Sequence, residues 1–276
     1  MTSGAPNSSN TAACIRIGRE CTLSADTVAD TTPNADIVLE ADRLLGAAGE
    51  ADVPVRLVGG LAVRAHLPPG TEPIIVREYK DIDLVTLKGR GRAVSAFMTE
   101  QGYEADRVFN TTNGHRRLLY YDVPHQRQVD VFVGAFEMCH SIPITDRIDI
   151  HPTAVPLAEL MLTKMQIVEL NAKDQSDIVT MLFHYDVGDG DDGMINATRV
   201  GALCAADWGL WRTTKMNTER TRQALAAGAP EVREVAEPRL ERLWQAIEDA
   251  PKSGRWKMRN RVGDKVRWYE EPEEVG

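Results

Sequence analysis

Three short segments hold the residues whose types and spacing could do chemistry. Asp81-Ile82-Asp83 sets two carboxylates two positions apart in a stretch, residues 81–86, that alternates polar and apolar as a strand does. Residues i and i+2 of a strand point to one face, so both carboxylates project together. Side by side they repel unless a cation neutralises them. An all-oxygen site of this kind suits Mg²⁺, which takes one or two carboxylates and completes its shell with phosphate oxygens and water. Taken alone, the pattern also describes two solvated aspartates at a strand edge. Asp130 sits among apolar residues in Gln128-Val129-Asp130-Val131-Phe132-Val133, where an unpartnered charge is costly. If its strand lies beside that of Asp81, it adds a third carboxylate. That would complete a site for two metal ions, able to clamp the attacking and leaving oxygens of an in-line phosphoryl displacement. Asp130 could then also take the proton of an attacking hydroxyl. The alternative is a structural Asp hydrogen-bonded to backbone. Finally, Gly59-Gly60 makes a sharp turn from a short strand into a helix. Glycines there let a phosphate approach the backbone, and a helix N-terminus offers free N–H groups, although Gly-Gly turns are common.

The elements that must position these residues follow from the pattern of the chain. Residues 1–33 are rich in Ser, Thr, Asn, Ala and Gly without an apolar period, which reads as a disordered tail. Asn34 can cap a helix bearing Ile37, Leu39, Leu44 and Leu45. Val55–Val58 reads as a buried strand, and Leu61, Ala62, Val63, Ala65 and Leu67 as the helix after the glycines, broken by Pro68-Pro69-Gly70. A helix over 89–101 and two strands, 117–121 and 128–133, complete an α+β half spanning residues 34–155. From Pro156 the spacing turns helical: Leu157, Leu160, Met161, Lys164, Met165 and Val168, then a helix over 174–184. The acidic stretch 186–192 lacks EF-hand spacing and reads as a solvent-exposed loop. A helical region therefore fills 156–250, followed by a basic and aromatic segment, 251–276.

Charge and composition exclude several classes. Of 276 residues, 32 are Lys or Arg and 41 are Asp or Glu, a net charge of −9. That is unlike a protein that coats nucleic acid non-specifically, so any such contact must come from a local patch. One candidate lies between Pro251 and Tyr269. There Lys252, Arg255, Lys257, Arg259, Arg261, Lys265 and Arg267 face one acid, Asp264, with Trp256, Trp268 and Tyr269 interleaved. Cations for phosphates and rings for stacking suit RNA; solvated faces and packing tryptophans are the alternative. Arg212, Lys215, Arg220 and Arg222, with Trp208 and Trp211, form a second basic stretch. The 4 cysteines have no C-x-x-C spacing, so neither a zinc site nor a disulfide framework is indicated, and Cys139 beside His140 reads as a buried thiol. No apolar run is long enough to span a membrane, and the N-terminus has no secretory pattern, which points to the cytoplasm.

Leu57-Val58-Gly59-Gly60, then Asp81-Ile82-Asp83, then Val129-Asp130-Val131 resembles the polymerase-beta type of nucleotidyltransferase. Its order is h-G-[GS], helix, D-h-[DE] and a later h-[DE]-h. Within that superfamily the chain is most similar to the AbiEii-type group, over about residues 50–185. That group carries an Arg four residues before D-h-D, here Arg77, and a downstream helical pair matched by Leu157–Leu182 with Lys164, Lys173, Asp174 and Asp177. The last ninety or so residues resemble uncharacterised actinobacterial relatives. The resemblance implies a small mixed sheet with flanking helices followed by a helical C-terminal domain, and an enzyme that transfers a nucleoside monophosphate from an NTP to a hydroxyl. It further implies that Asp81, Asp83 and Asp130 hold two Mg²⁺ ions, that Gly59, Gly60 and Arg77 face the nucleotide and that Lys164 reaches a phosphate. Asp174 and Asp177 would orient Lys164 or Arg77, or form structural salt bridges. Some relatives are toxins that modify tRNA, which suggests a tRNA acceptor met by Arg255, Trp256, Lys257, Arg259 and Arg261, and a partner antitoxin. A small-molecule acceptor of the antibiotic type, or a catalytically silent nucleotide- or RNA-binding regulator, stands as the alternative. Two features depart from the pattern: twenty residues separate Gly60 from Asp81, and Leu61 stands where some members have a hydroxyl residue.

Overall fold

The computed structural model describes residues 31–74, 78–144 and 146–271. Arg77, Cys14, Cys21 and the first thirty positions of the expected tail lie outside them. The chain begins with α1 (Ile37–Glu50), whose cap is Asp36 and not Asn34. One Asp36 carboxylate oxygen accepts from the backbone of Val38 and Leu39 at 2.8 and 3.0 Å, while the Asn34 amide donates to Glu40. Then come β1 (Val55–Val58), α2 (Gly59–His66), β2 (Ile82–Thr86), α3 (Gly91–Glu100), β3 (Glu104–Ala105) and α4 (Arg107–Asn113). A hairpin of β4 (Arg117–Asp122) and β5 (Arg127–Val133) follows, then a smaller one of β6 (Ala135–Glu137) and β7 (Ser141–Pro143).

Five strands form one mixed sheet in the order β1-β2-β5-β4-β3. β2 runs antiparallel to β1 and parallel to β5, and β5 runs antiparallel to β4. The alternation of the strands decides which face is core. Ile82, Leu84, Val129, Val131 and Tyr120 are fully buried. The remaining positions of β5 place Gln128, Asp130 and Phe132 together on the other face. The outer edge of β1 is covered, because Leu57 exchanges backbone bonds with Thr153 and Val155 at 2.8 and 2.9 Å. That contact delivers the chain to the second half, and the sheet and helices share one hydrophobic core.

The second half holds α5 (Leu157–Met165), α6 (Ala172–His184), α7 (Ala197–Ala206), α8 (Trp208–Ala227), α9 (Pro230–Asp249) and α10 (Gly254–Val262). It is not purely helical. β8 (Asp186–Gly188), inside the stretch expected to be an exposed loop, pairs in parallel with β9 (Met194–Asn196) just beyond it. That stretch is tied down by its acids: Asp186 meets Arg242 at 2.7 Å, Asp189 accepts from Thr198 at 2.9 Å and Asp191 pairs with Arg147. Helix α5 also stops sooner than the spacing through Val168 suggests. Asn217 of α8 takes the carbonyls of Met165 and Ile167 at 2.9 and 2.7 Å, and Arg220 takes that of Val168 at 2.8 Å. Side-chain donors satisfy backbone that would otherwise continue the helix. Cys139 and Cys204 are buried free thiols. No helix among the described residues is long and apolar enough to cross a membrane.

Candidate active site

Register places the chemistry. Val58, the last residue of β1, pairs with Asp83 of β2, and Asp83 pairs with Asp130 of β5. The condition set by the sequence, that the third carboxylate's strand lie beside that of the first two, is met. Directly after Val58 the chain turns into α2 at Gly59, with φ +73°. A Cβ at that position would lie 2.3 Å from the Asp83 Oδ2. Asp83 therefore occupies the space that any other residue at 59 would fill. Gly60, second in α2, is half-buried.

Electrostatics separates the three carboxylates. Burial, then the charges of Asp130 and Asp81, push the Asp83 carboxyl up to about 7, against the pull of Lys164 and Arg117. Burial and Asp130 also raise Asp81, opposed by Lys80 and Lys173. Asp130 itself is nearly inaccessible, and both its oxygens are taken. Arg117 Nε donates to Oδ1 at 2.7 Å and Gln128 Nε2 donates to Oδ2 at 2.7 Å. Neither Arg117 nor Gln128 was singled out from the sequence. Gln128 was within reach of the period-two rule, since it lies two before Asp130 on one strand. Arg117 requires the hairpin register, which sets it across from Phe132.

Lys164, on the last turn of α5, is buried. It donates to Asp174 at 2.7 Å and pairs with Asp177 at 2.9 Å. Burial alone would lower its pKa; the two α6 carboxylates more than offset this and hold it above the usual lysine value. Asp174 and Asp177 thus both engage Lys164.

The donor set suits a hard divalent cation. It is all oxygen, with Asp83 on β2 and Asp81 just before it, and the negative charge at Asp81 and Asp83 is only weakly compensated by the chain. Among the described residues, no three His, Cys, Asp or Glu side chains are gathered closely enough to hold a metal ion. Asp81, just before β2, and Asp83 on it are the carboxylates that could hold such a cation.

The basic segment divides. Arg255, Lys257 and Arg261 of α10 are exposed. Arg259 folds back: its guanidinium lies 4.1 Å from the Trp208 ring centroid and bonds the carbonyls of Gly263 and Val266. Trp256 is buried, edge-on to Trp211 at 5.0 Å, and donates its indole N–H to the Cys204 carbonyl. Its ring packs the helical half and offers no stacking surface.

No protein-family model matches the chain, and no curated protein does. Two solved structures share a distant likeness. The antibiotic-resistance factor ANT(2'')-Ia is 13% identical with a TM-score of 0.35, over 69% of this chain and 92% of that one. The STING-associated CdnE c-di-GMP synthase from Capnocytophaga granulosa is 10% identical with a TM-score of 0.26, over 76% of this chain and 79% of that one.

Proposed function

We propose that this protein is a Mg²⁺-dependent nucleotidyltransferase that moves a nucleoside monophosphate from an NTP to a hydroxyl, with RNA, and a tRNA end in particular, as acceptor. The observation that carries the reading is Asp83: in register with Asp130, raised in pKa, and seated where a side chain on Gly59 would be. Asp81 and Asp83 would hold the cation, which when bound would offset the charge of the triphosphate. The start of α2 at Gly59-Gly60 offers backbone N–H groups to phosphate oxygens beside that carboxylate. Lys164, fixed by Asp174 and Asp177, adds a positive charge within the field of Asp83. Arg77 is assigned to the nucleotide by the sequence pattern alone. The acceptor hydroxyl gives up its proton to solvent as its oxygen bonds to the α-phosphorus, and the bond from the α-phosphorus to the β-phosphate oxygen breaks to release pyrophosphate.

RNA is favoured by a groove of about 940 Å³ along α8, bordered by Arg212, Lys215, Arg220 and Lys265 together with Glu219 and Asp264. Its helix binds the backbone that follows Lys164, so the groove adjoins the α5–α6 connection. The test is label transfer from each α-³²P-NTP, with Mg²⁺ and total tRNA, beside the Asp81→Asn/Asp83→Asn variant. Label on RNA from the wild type only supports the reading and names the nucleotide. Label on a small molecule instead makes the acceptor of the antibiotic type. No label on any acceptor overturns catalysis in favour of a nucleotide-binding regulator. A toxin role with a partner antitoxin predicts growth arrest on expression, lost in Asp83→Asn.

A further inference from the structure

Phosphoryl transfer between two oxygens needs positive charge on both sides of the phosphorus, and many enzymes supply it with two metal ions about 3.5–4 Å apart. A guanidinium can supply the same charge. Here the third carboxylate already has a cation. Arg117 Nε is 2.7 Å from Asp130 Oδ1, and Gln128 holds Oδ2 at 2.7 Å. The arginine is largely buried, with its side chain 15% exposed, and it lies between two rings, 5.2 Å from the Phe132 centroid and 5.8 Å from that of Phe109. A guanidinium carries a permanent positive charge. Its two Nη groups make no hydrogen bond among the described residues, which leaves its outer edge able to meet anionic oxygens. Lys164 cannot play this part at Asp130, because Asp174 and Asp177 hold it.

We propose that Arg117 takes the place of a second metal ion at Asp130, so that the site loads one divalent cation, on Asp81 and Asp83. This replaces the pair of ions implied by the sequence resemblance, and it rests on the reading of Asp81 and Asp83 as the cation site. Asp130 then serves as the anchor of Arg117 and not as a metal ligand. Arg117 becomes a fixed cation facing the transferred phosphoryl group.

The readout is a count of bound Mn²⁺ on the intact chain, by equilibrium dialysis and by the electron paramagnetic resonance of the free ion, with no nucleotide or acceptor added. The wild type is expected to bind one ion, Arg117→Lys one, and Asp81→Asn/Asp83→Asn none. Arg117→Met should gain a second, because Asp130 is freed while its charge remains. Asp130→Asn should still bind one ion, with affinity within about threefold of wild type, and this arm stands even if Arg117→Met does not fold. Two ions on the wild type, none on the wild type, a single ion on a folded Arg117→Met, or a tenfold loss of affinity in Asp130→Asn would each overturn the proposal. The count and the label-transfer assay fail separately: one ion without transfer removes the proposed activity, and transfer with two ions removes the role of Arg117.

Discussion

Two of the clusters of charged side chains among the described residues are built differently. On α5, Glu159 is fully buried, and its Oε1 accepts from Arg147 Nε at 2.7 Å and from Arg199 Nε at 2.8 Å. Its Oε2 has no partner, and Arg147 and Arg199 each also reach an aspartate, Asp191 and Asp146. One buried carboxylate there meets two guanidinium groups. Around the central strands β2 and β5 the proportion differs: Asp81, Asp83 and Asp130 have one guanidinium at hydrogen-bond distance, that of Arg117 on Asp130. A carboxylate held between cations ties elements together: Arg147 precedes α5, Arg199 is on α7, and Glu159 joins both. Carboxylates left short of cations repel one another, which works against the fold. Such an arrangement persists where a ligand brings the missing charge. Charge proportion therefore separates the cluster that builds the fold from the one that we propose does chemistry.

The comparison is broken most sharply at Asp83. Asp83→Asn removes one of the crowded charges and keeps the shape. Label transfer is expected to fall at least ~10³-fold, about 4 kcal/mol of transition-state stabilisation, while the melting temperature holds or rises. A stability loss with transfer intact would make Asp83 a structural residue. The opposite result is expected at Glu159. Glu159→Gln leaves Arg147 and Arg199 facing a neutral group in a largely buried place. Breaking a buried pair in this way costs roughly 3 kcal/mol, or about 6–12 °C in a chain of this size. Calorimetry would measure it, and a change under about 2 °C would show that the network contributes little.

How much of this was legible in the sequence depends on the range of the interaction. The strands bearing Asp83 and Asp130 were legible because each carries its own period-two pattern. Their parallel pairing was not, since nothing local joins Asp83 to a residue that arrives two helices and two strands later. Gln128 was readable from its spacing, and Arg117 only from the register of the hairpin. β8 and β9 are three residues each, too short to show a period, and their parallel pairing is held by Asp186, Asp189 and Asp191 finding partners on other elements. At the C-terminus, composition put cations and rings together. The fold parts them: Trp256 turns inward to Trp211, and Arg255, Lys257 and Arg261 remain at the surface.

Gly59 tests how tightly the unbalanced cluster is packed. Gly59→Ala must adopt φ +73°, which costs an L residue about 1–2 kcal/mol. It must also displace the Asp83 Oδ2 that stands 2.3 Å from the new Cβ. A total near 2 kcal/mol is expected in chemical denaturation. The second part is specific to Asp83, so the cost should shrink to the backbone share in an Asp83→Ala background. Strictly additive losses would mean that Asp83 swings aside freely and that the close approach carries no constraint.

The smallest effect, per unit of change, is the pH dependence that the crowded charge imposes. Asp83 is pushed up to about 7 in the folded chain, whereas an unfolded Asp titrates near ~3.9. Between these values the folded state holds a proton that the unfolded state has released. Stability therefore falls as pH climbs from about 4 to about 7 and is level above that, with a slope of at most ~1.4 kcal/mol per pH unit from this group. Other groups titrate in the same window, so the decisive quantity is the difference between wild type and Asp83→Asn, measured by denaturant midpoint at pH 5, 6 and 7. The two curves should diverge, with the variant gaining relative stability as pH rises. Added Mg²⁺ should flatten the wild-type slope, because a cation on Asp81 and Asp83 favours the ionised carboxyl, and should leave the variant little changed. Parallel curves for wild type and Asp83→Asn, with or without the ion, would show that the carboxylates of β2 and β5 are compensated after all.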